Sequence, residues 1–120
     1  MIQFYLHMIG DYVTQNHWMA NTKTKNTKDG YLACFIHVLL YSLPFLFIGS
    51  WKSVLIIFIT HFLIDKYRLA KYIVQLKNWC FNTQTGFPND APAFIAIWIL
   101  FIVDNIIHVS INYLALTYIK

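Results

Sequence analysis

The sequence predicts an all-α fold: a four-helix transmembrane bundle enclosing a His/Asp metal site within the membrane layer. Three observations predict it. Hydrophobic residues make up 58% of the 120 and charged residues 12%, against about 45–50% and about 25% in ordinary soluble domains. Apolar stretches recur four times, each near the roughly 20 residues a helix needs to cross a bilayer. Most of the five His and five acidic residues, all of them Asp, fall inside those stretches, where ionisable groups are expensive. A chain of this size reads as a single integral-membrane domain, 1–120.

The first helix is expected over 2–20. Gln3, His7, Asp11, Gln15 and His17 interrupt its apolar face, so it should pack against its neighbours. Residues 21–30 form a polar connector with Lys23, Lys25 and Lys28, closed by an Asp29-Gly30 turn signal. The second helix, 31–50, carries Pro44, where a kink is tolerated if neighbouring groups satisfy the freed carbonyl. The third, 51–79, is apolar through Ile64 and then amphipathic, with Lys66, Arg68, Lys71 and Lys77 emerging into water or lying along the headgroups. A loop with Gly86 and Pro88 follows, and Asp90 and Pro92 announce the last helix, 91–118.

The net charge is +4, but the basic residues flank apolar runs and form no Lys/Arg stripe, which argues against nucleic acid as a partner. If all four helices cross, the basic connectors share one side. The positive-inside rule then places them in the cytoplasm and both termini outside it. Cys34 and Cys80 lack any framework spacing and read as free thiols. The start of the chain has neither a basic n-region nor a small-residue cleavage site, so no removable signal peptide is expected. Trp18, Trp51 and Trp79 read as interfacial belt residues, and His17 as an interfacial residue.

Three His/Asp pairs stand four residues apart: His7 with Asp11, His61 with Asp65, and Asp104 with His108. That spacing puts both side chains of a pair on one helix face, and random placement would give only about 0.4 such pairs. His37 adds an imidazole from the second helix, so every expected span contributes a ligand-type group, as in metal-binding bundles. Three unpaired ionised Asp at mid-membrane would cost about 8–10 kcal/mol. Divalent cations would neutralise them, and imidazole with carboxylate suits zinc, manganese or iron. The candidate ligands are His7, Asp11, His37, His61, Asp65, Asp104 and His108, enough for two ions with one bridging Asp. Any single pair also reads as a polar contact gluing two helices.

Around these lie candidate helpers. Gln15 continues the His7–Asp11 stripe toward the basic side, Arg68 follows Asp65 by three residues, and Lys23 lies in the connector. All three are candidates for binding an anionic substrate. Asn105, beside Asp104, is a candidate for orienting a ligand.

The ordered motifs His7-x-x-x-Asp11-Tyr-x-x-Gln15-x-x-x-Met19-Ala-x-x-Lys23, His37-x-x-x-Tyr41, His61-Phe-Leu-Ile-Asp65 and Asp104-Asn-x-x-His108 resemble a small polytopic family of bacteria and their phages, domain of unknown function 3307. Asn105 stands where that pattern leads one to expect Gln. The chain ends soon after the last motif, a length that suits a phage-borne version. The resemblance implies a membrane-bound, metal-dependent hydrolase in the bacterial inner membrane.

The sequence therefore leads us to expect cleavage of a phosphoester, lipid-linked or nucleotide, by a metal-activated water, with Asp11, Asp65 and Asp104 as catalytic carboxylates. The expected partners are the bilayer and an anionic substrate, with room for a homo-oligomer. A metal-ion or proton transporter using the same cluster is the main alternative. A membrane-lesion protein, which needs no ordered ligand set, is the third.

Overall fold

The chain opens with α1 (Ile2–Met8), which runs directly into a π-helical turn, Ile9–Val13. Three polar side chains then decide where the next helices begin. Asn16, Thr27 and Ser50 accept hydrogen bonds from the backbone N–H groups of Met19, Gly30 and Ser53, at 2.9, 3.1 and 3.2 Å. These N-caps satisfy donors that a helix start would otherwise orphan. They open α2 (His17–Thr22), α3 (Lys28–Ser42) and α4 (Trp51–Tyr67). After them come α5 (Leu69–Asn78) and α6 (Ala93–Tyr118). This computed structural model describes all residues from Met1 to Lys120, and no strand occurs among them.

The helices differ from the expected spans in instructive ways. The expected helix over 2–20 is interrupted, because Asn16 is extended (φ −87°, ψ 173°) in order to cap α2. Pro44 acts as expected: the α-helix gives way to a tighter 3₁₀ segment, Leu43–Phe47. The expected helix over 51–79 breaks at Arg68, which turns left-handed (φ 51°, ψ 50°) without the help of a glycine. The last helix is the most regular, 26 residues or about 39 Å long.

Two stretches are long and apolar enough to cross a membrane, Lys28–Phe47 and Ala93–Tyr118, rather than the four expected. The 17-residue α4 reaches only about 25 Å, and the seven-residue α1 about 10 Å, against about 30 Å of hydrocarbon.

Two contacts define the ends of the molecule. Lys66 is buried rather than turned toward headgroups or water: its amine donates to the backbone carbonyls of Lys23 (3.2 Å) and Lys25, and lies 3.9 Å from the centre of the Tyr31 ring. That clamp fixes the Lys23–Lys28 connector to the end of α4, so the basic residues of both collect there. At the opposite end, Ser50 Oγ donates to the Ile119 carbonyl at 3.2 Å. Beyond the basic end, α5 buries Ala70, Val74 and Gln75 and exposes Leu69, Tyr72, Ile73 and Leu76.

The core between α3, α4 and α6 is built on Tyr41, Phe45, Val54, Ile57 and Ala115. The first segment closes on it through Gly10, where an added Cβ would lie 2.3 Å from a Tyr41 ring carbon. Gly10→Ala should therefore push Tyr41 aside and cost about 1–3 kcal/mol, as overpacking does. Thermal unfolding of the purified protein measures this, and an unchanged midpoint would show the contact to be slack.

Candidate metal centre

Each His/Asp pair closes on itself along its own helix, as the four-residue spacing requires. His7 Nδ1 lies 3.5 Å from Asp11 Oδ2, His61 Nε2 3.4 Å from Asp65 Oδ2, and His108 Nε2 3.5 Å from Asp104 Oδ2. Asp11 stands in the π turn, a local widening of the helix that is frequent at functional sites.

Packing then brings the pairs together. Where α3 meets α4, His37 Nε2 and His61 Nε2 come within 3.1 Å of each other. Both face the same two carboxylates. Asp65 Oδ2 is 3.1 Å from His37 and 3.4 Å from His61, and Asp11 Oδ1 is 3.4 Å from each. The other oxygen of Asp65 turns to α6 and accepts a hydrogen bond from His108 Nε2 at 3.0 Å. Asp65 thus belongs to two clusters, one with His37 and His61 and one with Asp104 and His108, and either could hold a metal ion. The packing of α6 on α4 brings Asp104 and His108 level with Asp65.

Two physical tests favour a cation here. Donors bound at 2.0–2.1 Å to a tetrahedral zinc stand about 3.3–3.4 Å apart along each edge, close to the 3.1–3.4 Å separations around His37 and His61. Proton bookkeeping agrees. With one Nε2 protonated its N–H donates to the other imidazole across 3.1 Å, and only if both were protonated would two N–H groups point at each other. With the protons on Nδ1, two lone pairs face two carboxylates, an arrangement that a cation stabilises. Asp11 Oδ1, His37 Nδ1 and His61 Nδ1 are buried without a hydrogen-bond partner, an uncommon condition outside functional sites.

The remaining expected site residues divide. His7 is fully buried, but both its nitrogens are engaged: Nε2–H donates to Asn105 Oδ1 at 2.7 Å, and Nδ1 accepts from the Tyr41 hydroxyl at 2.8 Å. Asn112 in turn donates to Tyr41 at 2.6 Å, which is consistent with this tautomer. His7 therefore has no free nitrogen for an ion and instead ties α1 to α3 and α6. Asn105 holds His7 and also accepts from the Tyr12 hydroxyl at 2.7 Å.

Lys23 reaches into the site, its amine 2.5 Å from Asp65 Oδ2. Gln15 donates to the Asp11 backbone carbonyl at 3.3 Å, and its own carbonyl oxygen is buried and unpartnered. Arg68 is exposed at the rim. With Lys23 and Lys71 it lines an open cavity of about 270 Å³ that also touches Asp65 and Asp104, while Asp11 and Gln15 line an adjoining one of about 140 Å³. His17 lies apart, exposed against Asn21. Asn112, Lys66 and Lys71 were not singled out from sequence as parts of the site, and Tyr41 only as the end of the His37-x-x-x-Tyr41 motif. Tyr41 follows His37 by four residues, as Asp65 follows His61, which is the one signal that could have found it.

Together these features define an all-helical, strongly apolar protein whose buried His/Asp clusters have the composition and spacing to hold metal. The chain belongs to the family described as protein of unknown function (DUF3307), whose model matches residues 1–120. No curated protein and no solved structure matches it.

Proposed function

We propose that the protein is an integral-membrane, metal-dependent hydrolase acting on an anionic phosphoester. The observation that carries this reading is the convergence of His37, His61 and Asp65 at metal-ligand spacing, with Asp11 Oδ1 3.4 Å from both imidazoles and Asp65 shared by a second cluster. In this reading α3 with its 3₁₀ extension and α6 cross the bilayer, and the shorter helices pack beside them. The basic end faces the cytoplasm, with α5 along the headgroups.

His37, His61, Asp65 and Asp11 would hold one divalent ion, and His108, Asp104 and the second Asp65 oxygen another, with zinc or manganese suited to both donor sets. Bound ions would supply Lewis acidity and make water a competent nucleophile near neutral pH. The protein's own contributions follow from its geometry. Lys23 and Arg68 draw in and orient the anionic group. Asp104, whose side chain is 34% exposed, lines both polar cavities and is placed to take the proton of an attacking water. Gln15 offers its unpartnered oxygen to a substrate hydroxyl.

Manganese- or zinc-loaded protein in nanodiscs should cleave p-nitrophenyl phosphate or its diester, and a chelator should stop it. Asp104→Asn should lower kcat about 10²–10⁴-fold, as loss of a general base does, while the ion at His37, His61 and Asp65 remains bound. Absence of turnover from the loaded protein would end the hydrolase reading.

The buried chain Asn112–Tyr41–His7–Asn105 favours a second reading, passage of protons or metal ions. Ion flux into proteoliposomes, abolished by His7→Ala, would establish it.

A further inference from the structure

The polar cavities do not stand alone. Beside them, between α1 and α6, runs an apolar groove of about 400 Å³ lined by Phe4, Met8, Ile102, Ile106 and Val109. Phe101 lines the groove and both polar cavities, and Tyr12 lines the groove and the smaller one. Their rings lie 5.3 Å apart and form a sill between a basic, carboxylate-bearing chamber and an apolar trough. The trough lies on the helix that is most apolar and least covered by the rest of the protein, only 11% of its span window being buried. From Phe101 to Ser110 it follows α6 for about 14 Å. Its length and depth suit an alkyl chain, and Lys23, Arg68 and Lys71 at its polar end complement a phosphate head.

We infer that the substrate is a membrane lipid phosphate, its head in the basic cavity and one tail in the α1–α6 groove. This rests on the hydrolase reading and narrows it: a soluble nucleotide has nothing to place in the trough. The groove also leaves the tail in the bilayer while the phosphate reaches the His/Asp clusters, so the lipid need not be extracted. Tyr12 connects the two halves, since its hydroxyl bonds Asn105, the residue that holds His7.

The test is photo-crosslinking in phosphatidylcholine nanodiscs with a phosphatidic acid that carries a diazirine in one acyl chain. Labelling should concentrate on Phe4, Met8, Ile102, Ile106 and Val109. Excess unlabelled phosphatidic acid should suppress it at least tenfold, and diacylglycerol should not. Val109→Trp, which fills the trough, should abolish it while leaving bound metal unchanged; Ser110→Leu is the milder variant if Val109→Trp fails to fold. Labelling spread evenly over all outward-facing helices and indifferent to competitor would overturn the inference, leaving only bulk lipid. Faster cleavage of a soluble nucleoside monophosphate than of phosphatidic acid, unaffected by Val109→Trp, would also overturn it. Focused, competed labelling with no cleavage of either compound would sustain the lipid site and remove only the hydrolase.

Discussion

Asp65→Asn removes most of the stabilisation by metal. Wild-type protein should gain about 4 kcal/mol of unfolding free energy per bound ion when zinc or manganese is present at a thousandfold excess over its dissociation constant. The Asn variant should lose most of that gain, because Asp65 is the one carboxylate shared by two of the three candidate ligand groups. Its side chain is 4% exposed and faces His37, His61, His108 and Lys23, whereas Asp11 Oδ1 comes within 3.4 Å only of His37 and His61 among these. Thermal unfolding with and without added metal checks this. A protein held together only by His–Asp and Lys–Asp pairs behaves differently: it loses about 3–5 kcal/mol on mutation, as broken buried pairs do, and neither form responds to metal.

Lys23→Ala should move two quantities in opposite directions. The Lys23 ammonium sits 2.5 Å from Asp65 Oδ2, on the side of the carboxylate that faces His37 and His61, and so competes with a metal ion for that oxygen. Removing it should leave metal affinity unchanged or raised. The same change removes a charge from the wall of the basic cavity, and KM for an anionic phosphoester should rise about 10–100-fold, the worth of one charge-assisted hydrogen bond. Metal titration and steady-state kinetics on one preparation measure both. Loss of metal affinity in Lys23→Ala would mean that the lysine supports the cluster rather than competing within it.

The candidate site was legible in the sequence because helical spacing projects paired ligands from a single element. His61/Asp65 and Asp104/His108 needed no knowledge of packing, only the four-residue repeat. Distances across helices needed the fold, and there the reading of individual residues shifts. His7 has the spacing of a ligand, yet Tyr41 and Asn105 occupy both its nitrogens. Tyr41 is marked only by its four-residue spacing from His37 and Asn112 by nothing local; both lie in apolar runs and acquire their roles only when α3 and α6 meet. Lys66 looks like one of several lysines at a helix end. It is buried because the carbonyls of Lys23 and Lys25, far away in sequence, need a donor.

Helix boundaries show the same division. Pro44 and the polar cap Ser50 announce their breaks. The break at Arg68 has no glycine or proline to signal it, and the left-handed turn there carries a local cost of about 1–2 kcal/mol. Composition counts apolar residues but not uninterrupted helical length. That is why four expected crossings become two stretches of sufficient length, Lys28–Phe47 and Ala93–Tyr118.

Elemental analysis of the purified full-length protein, after dialysis against metal-free buffer, tests the metal centre most directly when run beside the double variant His61→Ala, Asp65→Asn. The account predicts about two divalent ions per wild-type chain, shared through the Asp65 carboxylate, and close to none in a double variant that still folds. Wild-type protein that holds no ion even when purified with zinc and manganese present would contradict it.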